Sequence, residues 1–296
     1  MRWMGRNKGD TMHRIAVFPN VNKDQSRAML DRLLAFCRDK SVELVLPKDE
    51  SIFFECEAHG REDIEQIPVD MALSIGGDGT LLGVCRRFGS RGVPVCGINI
   101  GTLGFLADIE PEELEKKLSK ILEGIYRIEE RLLLSGYVKD ENGNERFLGN
   151  AVNDVVITKG GVARMIHLGL SINDTHLMDY KADGVIVSSP TGSTAYSLSA
   201  GGPIMNPTVR ALLVTPICAH TFNLRPLVVN ENDLLHIHIA AVHQDIIVTF
   251  DGQESFRLLP GEEVLVRKSP VPARIVKFED KDYYKILRTK LWEGNL

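Results

Sequence analysis

The run Val69-Asp70-Met71-Ala72-Leu73-Ser74-Ile75 leads directly into Gly76-Gly77-Asp78-Gly79-Thr80, and Leu81 to Phe88 follow with helical spacing. This is a buried strand, a Gly-rich turn and a helix. Glycines in such a turn let backbone N–H groups approach a phosphate, and the helix N-terminus adds a field that favours anions. An acid at its centre runs against that use. Asp78 would repel a phosphate unless it holds a metal ion or accepts the proton of a hydroxyl that is being phosphorylated. Either role points to phosphoryl transfer. The alternative is structural: Asp78 or Thr80 caps orphan N–H groups of the helix.

Working outward, Arg14 to Asn20 reads as a strand ending in a turn, Gln25 to Lys40 as a helix carrying Met29, Leu30, Leu33, Leu34 and Cys37, and Val42 to Leu46 as a second strand. Gly60 to Ile67 reads as a polar helix or connector. Val93 to Ile98 is a further strand, and Pro111 to Gly124 a helix with Pro111 early and Glu112 and Glu113 in its first turn. Alternating strands and helices predict an α/β domain with a doubly wound parallel sheet, whose ligands sit at the carboxyl ends of the strands. Gly76–Thr80 and the later turn Asn99-Ile100-Gly101-Thr102-Leu103-Gly104-Phe105 both fall at such ends.

From Tyr126 the period changes to two. Strand-like runs recur at Arg131–Val138, Glu145–Leu148, Asp154–Thr158, His167–Ile172, Gly184–Ser188, Pro226–Val229, Leu234–Ile239, Asp245–Phe250 and Glu263–Arg267. Asn142-Gly143 marks a hairpin, and Ser193–Gly202 a short helix among the strands. The pattern predicts a second, β-rich domain of stacked sheets or a barrel-like layer. The expected boundaries are 1–127, 128–276 and a C-terminal segment, 277–296, that is helix-like and returns to the first domain. Met12-His13-Arg14 directly precedes the first apolar run, so the first eleven residues read as an extension or as residues upstream of the start.

The chain has 296 residues, of which 44% are hydrophobic and 25% charged, enough for a full core. A formal net charge of −5, without Lys/Arg blocks, argues against nucleic-acid partners. No apolar run reaches the ~20 residues of a membrane span, and Met1 to Lys8 has no signal-peptide core, so a cytoplasmic protein without a membrane partner is expected. Five scattered cysteines without a CxxC pair give neither a disulfide framework nor a zinc site. His236, His238 and His243 have no carboxylate or Cys at a completing spacing and read as part of a solvent-facing strand.

Four stretches together resemble the NAD kinase family, bacterial branch: GGDGT at Gly76–Thr80, NIGTLGFLAD at Asn99–Asp108, AVNDVVITKG at Ala151–Gly160, and DGVIVSSPTGSTAYSLSAGGPIMNP at Asp183–Pro207, with HTFNLRPLVV at His220–Val229 downstream. GGDGT alone is shared with 6-phosphofructokinases and with diacylglycerol and sphingosine kinases; the Asp183–Pro207 stretch is far more specific. The resemblance runs from about Ile15 to Trp292. It implies transfer of the terminal phosphoryl group of ATP, with Mg²⁺, to the 2′-hydroxyl of the adenosine ribose of NAD, giving NADP and ADP. It implies an α/β domain followed by a β-rich domain of stacked sheets, and a homodimer or homotetramer.

On that resemblance Asp78 is the catalytic residue, orienting the weakly acidic hydroxyl and accepting its proton; Mg²⁺ ligation by Asp78 is the competing role. The chain has no Walker sequence, so Gly76, Gly77, Gly79 and Thr80 are left to hold the donor phosphates. Asn153 and Asp154 match the motif that contacts the NAD adenosine, although Asn-Asp also reads as a plain turn. Asp183 and the run Thr194, Ala195, Tyr196, Ser197, Leu198 and Ser199 are expected to contact NAD, with Phe105, Arg164 and Gln253 as further contacts. Lys181 stands where the bacterial family often has an Arg near the nicotinamide end, a point charge replacing a guanidinium plane. A preference for NAD over NADH is carried as a hypothesis, which comparable catalytic efficiencies for the two would sink. No residue is assigned as a dedicated metal ligand.

Overall fold

The computed structural model describes residues 12–161, 165–220, 223–239, 245–278 and 281–293. Arg164, His243 and the first eleven residues lie outside these. The chain divides into two compact units, one of residues up to Glu130 together with those from Ala273 onward, the other Arg131–Pro272.

In the first unit β1 (Arg14–Pro19), α1 (Gln25–Cys37), β2 (Glu43–Pro47), α2 (Lys48–Phe53), β3 (Gly60–Arg61), β4 (Met71–Gly76), α3 (Asp78–Gly89), β5 (Val95–Asn99), α4 (Leu114–Leu122) and β6 (Arg127–Arg131) follow in order. The sheet order is β3-β2-β1-β4-β5, then a strand formed by Ala273–Lys277, then β6. Pairing from β3 to β5 is parallel. Strand alternation places Ile15, Val17, Met71, Leu73 and Ile75 in one core with Met29, Leu30 and Leu33 of α1. Phe18 faces the other way, its ring 5.4 Å from that of Phe88 in α3. The chain first builds outward from β1 to β2, then restarts on the other side of β1 with β4. That reversal is a topological switch point, and the crevice it leaves lies beyond the carboxyl ends of β1 and β4.

The second unit contains β7 (Leu134–Lys139), β8 (Glu145–Ala151), β9 (Asp154–Lys159), β10 (Ile166–Ile172), β11 (Thr175–Ala182), β12 (Gly184–Ser188), α5 (Tyr196–Ser199), β13 (Ala211–Ile217), β14 (Leu227–Asn230), β15 (Leu235–Ile239), β16 (Ile246–Phe250), β17 (Glu254–Leu258) and β18 (Glu263–Lys268). Among the described residues these form two sheets, β11-β10-β15-β18-β7-β8 and β14-β13-β12-β9-β16-β17, each antiparallel in its pairings. One buried cluster joins Leu168, Leu170, Ile237 and Val264 from the first sheet with Val155, Ile157, Val185, Val214 and Phe250 from the second. This is sheet-on-sheet packing, as the period of two implied.

The return begins before the expected residue 277. Ala273–Lys277, here β19, pairs in parallel with β5 through Ile275 and Val95, so it extends the first sheet. It leads into α6 (Tyr283–Arg288) and a π-helical turn, Thr289–Glu293. Pro111–Glu113 is a 3-10 turn ahead of α4, and the 60–67 segment carries only the two-residue β3 and turns.

Candidate functional site

At the switch point, Asn20 closes the end of β1. Its Nδ2 donates to Thr80 Oγ1 at 3.0 Å, and its backbone N–H donates to the Ile75 carbonyl at 2.9 Å. Lys23 stands in the same loop, and a Cβ built on Gly101, beyond β5, would lie 2.5 Å from Lys23 Nζ. The carboxyl ends of three adjacent strands thus converge around one ammonium that has no carboxylate partner among the described residues. Gly76 is buried at the end of β4 and belongs to the strand ladder opposite Asn99. Gly77 and Gly79 are the turn glycines that reach the surface.

Asp78 begins α3 after the N-cap residue Gly77, which has no side chain to cap with. The Asp78 carboxylate and the Thr80 hydroxyl bond away from the helix start, to loop N–H groups and to Asn20, and not as caps. The Asp78 carboxylate turns to the loop after β5: Oδ2 accepts from the Phe105 N–H at 2.7 Å, and Oδ1 accepts from Leu106 and Ala107 N–H at 3.1 and 3.3 Å. A carboxylate offers about four lone-pair positions, so one on Oδ2 is left for a further donor. Phe105 is half-buried, its ring 6.0 Å from that of Tyr283 and 4.8 Å from Lys290 Nζ. The C-terminal segment thus packs over a residue expected at the site.

In the second unit three separate stretches meet at the start of β9. Asp251, in the turn after β16, accepts the N–H groups of Val152, Asn153 and Asp154 at 3.1, 2.7 and 3.2 Å. From the other side the Asn153 carbonyl accepts from Ser189 N–H at 2.8 Å and Ser188 Oγ at 3.2 Å. Gly192 packs so closely that a Cβ there would stand 2.1 Å from the Asn153 oxygen. The backbone is held on both sides, whereas the Asn153 amide and the Asp154 carboxyl have no hydrogen-bond partner among the described residues. Polar side chains left open on a fixed backbone are what a ligand site requires. Burial, and next the Asp251 carboxylate, push Asp154 up to about 7. Near neutral pH it can therefore donate or accept a hydrogen bond.

Thr191–Thr194 forms a 3-10 turn leading into α5. Tyr196 and Ser199 are exposed and Thr194, Ala195 and Leu198 half-buried, but Ser197 is fully buried, with Oγ 2.8 Å from Thr215 Oγ1. Ser197 thus departs from its expected role: its hydroxyl faces inward, because the short helix turns that side onto β13. Asp183 is ion-paired with Lys159 at 2.5 Å, while Lys181 is exposed on the edge strand β11. Gln253 is exposed, its N–H bonded to the Phe250 carbonyl at 3.0 Å.

Asn20, Lys23, Lys159 and Asp251 were not among the expected site residues. For Asn20 and Lys23 a signal existed, since a doubly wound sheet places the loop after β1 beside the loop after β4.

Residues 15–126 match the ATP-NAD kinase N-terminal domain and residues 152–278 the ATP-NAD kinase C-terminal domain. A protein named NAD kinase from Moorella thermoacetica is 39% identical over 283 residues, covering 96% of this chain and 90% of the relative. One from Clostridium botulinum is 39% identical over 280 residues, covering 95% and 96%. Among solved structures, yeast NADH kinase complexed with NADH matches with a TM-score of 0.84 at 25% identity, covering 97% of this chain and 89% of that one. An NAD kinase from Archaeoglobus fulgidus in complex with ATP matches with a TM-score of 0.72 at 26% identity, covering 94% and 98%.

Proposed function

Because the chain belongs to the NAD kinase family and phosphorylates NAD to NADP with ATP, we propose that Asp78 is the base of that reaction. The observation that carries this is the hold on its carboxylate. Three backbone N–H groups orient it, leaving one lone pair of Oδ2 to receive the 2′-hydroxyl of the adenosine ribose. A hydroxyl so held presents its oxygen to phosphorus, and its proton passes to Asp78 as the O–P bond forms and the bond to the ADP oxygen breaks.

Gly77, Gly79 and Thr80 offer the turn and helix start to the donor phosphates, and Lys23 supplies a cation that is not already neutralised. Mg²⁺ is part of this reading. It keeps several waters and takes one or two carboxylates together with substrate phosphates. Among the described residues no cluster of three or more His, Cys, Asp or Glu forms a metal cage. The ion would arrive on the ATP phosphates, beside the turn that carries Asp78. When bound, the ion neutralises phosphate charge.

NAD is held through its adenosine by the Asn153 amide and the Asp154 carboxyl, with Asp183, Thr194–Ser199 except the Ser197 side chain, and Gln253 as further contacts. Lys181 bears on the nicotinamide end, and NAD is favoured over NADH. Equal catalytic efficiencies for the two dinucleotides would remove that last point. We place the enzyme in the cytoplasm as a homodimer or homotetramer; no helix of the described residues is long and apolar enough to cross a membrane, and the oligomer rests on the family resemblance. The test is an end-point assay with Mg²⁺, ATP and either NAD or its 2′-deoxyadenosine analogue, reading product chromatographically. NAD alone yields phosphorylated product on this reading; phosphorylation of the deoxy analogue would overturn it.

A further inference from the structure

We propose that Lys277, at the end of β19, is a positioning residue for Asp78, an inference that rests on the reading of Asp78 as the base. Lys277 Nζ donates to the carbonyls of Phe105 at 3.4 Å and Leu106 at 2.9 Å, and to Asp108 Oδ1 at 3.1 Å. The first two oxygens belong to the peptide units whose N–H groups, those of Leu106 and Ala107, bind Asp78 Oδ1. Each of these planar units therefore carries an ammonium at its oxygen and a carboxylate at its nitrogen. Polarisation of the peptide by one charge strengthens its bond to the other.

The arrangement has no slack. All three ammonium donors of Lys277 are used, and the remaining Asp108 oxygen accepts the Phe278 N–H at 2.7 Å. Asp108 is fully buried and Lys277 5% exposed, so neither is screened by water. Lys117 Nζ, also buried, packs 4.4 Å from the centre of the Phe278 ring. Lys277 fixes the far side of the loop, and the loop saturates Asp78 Oδ1 and leaves Oδ2 open to the hydroxyl. A buried ion pair that only anchored the return strand would need no bond to the Phe105 and Leu106 carbonyls.

The test compares the parent with two variants. Lys277→Met combined with Asp108→Asn removes both buried charges and keeps an acceptor for Phe278 N–H; Lys277→Arg keeps the cation. Folding is followed by thermal denaturation, kcat and KM by NADP formation, and amide exchange at residues 105–107 by mass spectrometry or NMR. In the double variant kcat falls about 10- to 100-fold, KM for NAD and for ATP stays within about 2-fold, and the 105–107 amides exchange faster. Lys277→Arg keeps slow exchange and most of the kcat. The proposal is overturned by a folded double variant with parental kcat, or by either variant losing kcat while 105–107 exchange stays at the parental rate. Asp78→Asn in the parent separates the two failures: parental kcat there removes the base reading, whereas loss there beside a fully active double variant removes only the role of Lys277.

Discussion

A Cβ added at Gly104 would stand 2.2 Å from Asp78 Oδ1. The loop after β5 approaches the carboxylate so closely that only a residue without a side chain fits between its backbone and the acid. Gly104→Ala must therefore displace either the carboxylate or the N–H groups that hold it. Its kcat is expected to fall about 100-fold with NAD affinity retained, and an alanine variant with parental kcat would show that the three N–H contacts are not required.

The pH dependence of stability has a determinate sign at Asp154. Its folded value, raised from 3.8 to about 7, means that between those limits the native state binds the proton that the unfolded chain has released. Its stabilising contribution is thus complete below about 4 and is lost as pH rises through 7. Thermal midpoints of the parent should drop relative to those of Asp154→Asn between pH 5 and pH 8; a constant difference across that range would refute the burial of this carboxyl.

Lys23 lies among the carboxyl ends of β1, β4 and β5, its charge uncompensated among the described residues. Lys23→Met is expected to raise KM for ATP about 10-fold or more, the value of a hydrogen bond to a charged group, with KM for NAD little changed. Unaltered ATP kinetics would place the donor phosphates elsewhere.

Ser197 separates a packing role from a binding role within one short helix. Its hydroxyl pairs with Thr215 in a buried site, so Ser197→Ala should cost about 1 to 3 kcal/mol of stability through the Thr215 hydroxyl left behind. KM for NAD should remain at the parental value. A raised KM with unchanged thermal midpoint would return Ser197 to the binding surface.

The strand, turn and helix around Gly76–Thr80 were legible because a buried parallel strand is a continuous apolar run and a glycine-rich turn announces its end. Strands seen only in the structure explain themselves. Thr175–Ala182 and Glu254–Leu258 are edge strands with mostly exposed or half-buried residues, so no clean alternation marks them. Ala211–Ile217 carries Thr215 and Pro216 within its run, and a proline inside an apolar run argues against a central strand. Membership of Ala273–Lys277 in the first sheet depends on a partner, Val95, far away in the chain. The site divides the same way: Asp78, Asn153 and Asp154 stand in local motifs, whereas Lys277 and Asp251 act on backbone groups that only the folded chain brings to them.

The role of Asp78 is tested most directly by the turnover of Asp78→Asn with Mg²⁺, ATP and NAD, read through an NADP-specific dehydrogenase and accompanied by thermal denaturation and NAD titration. The folded variant is expected to bind NAD like the parent and to form NADP at least about 100-fold more slowly; a folded variant forming NADP at the parental rate would show that Asp78 is not the base.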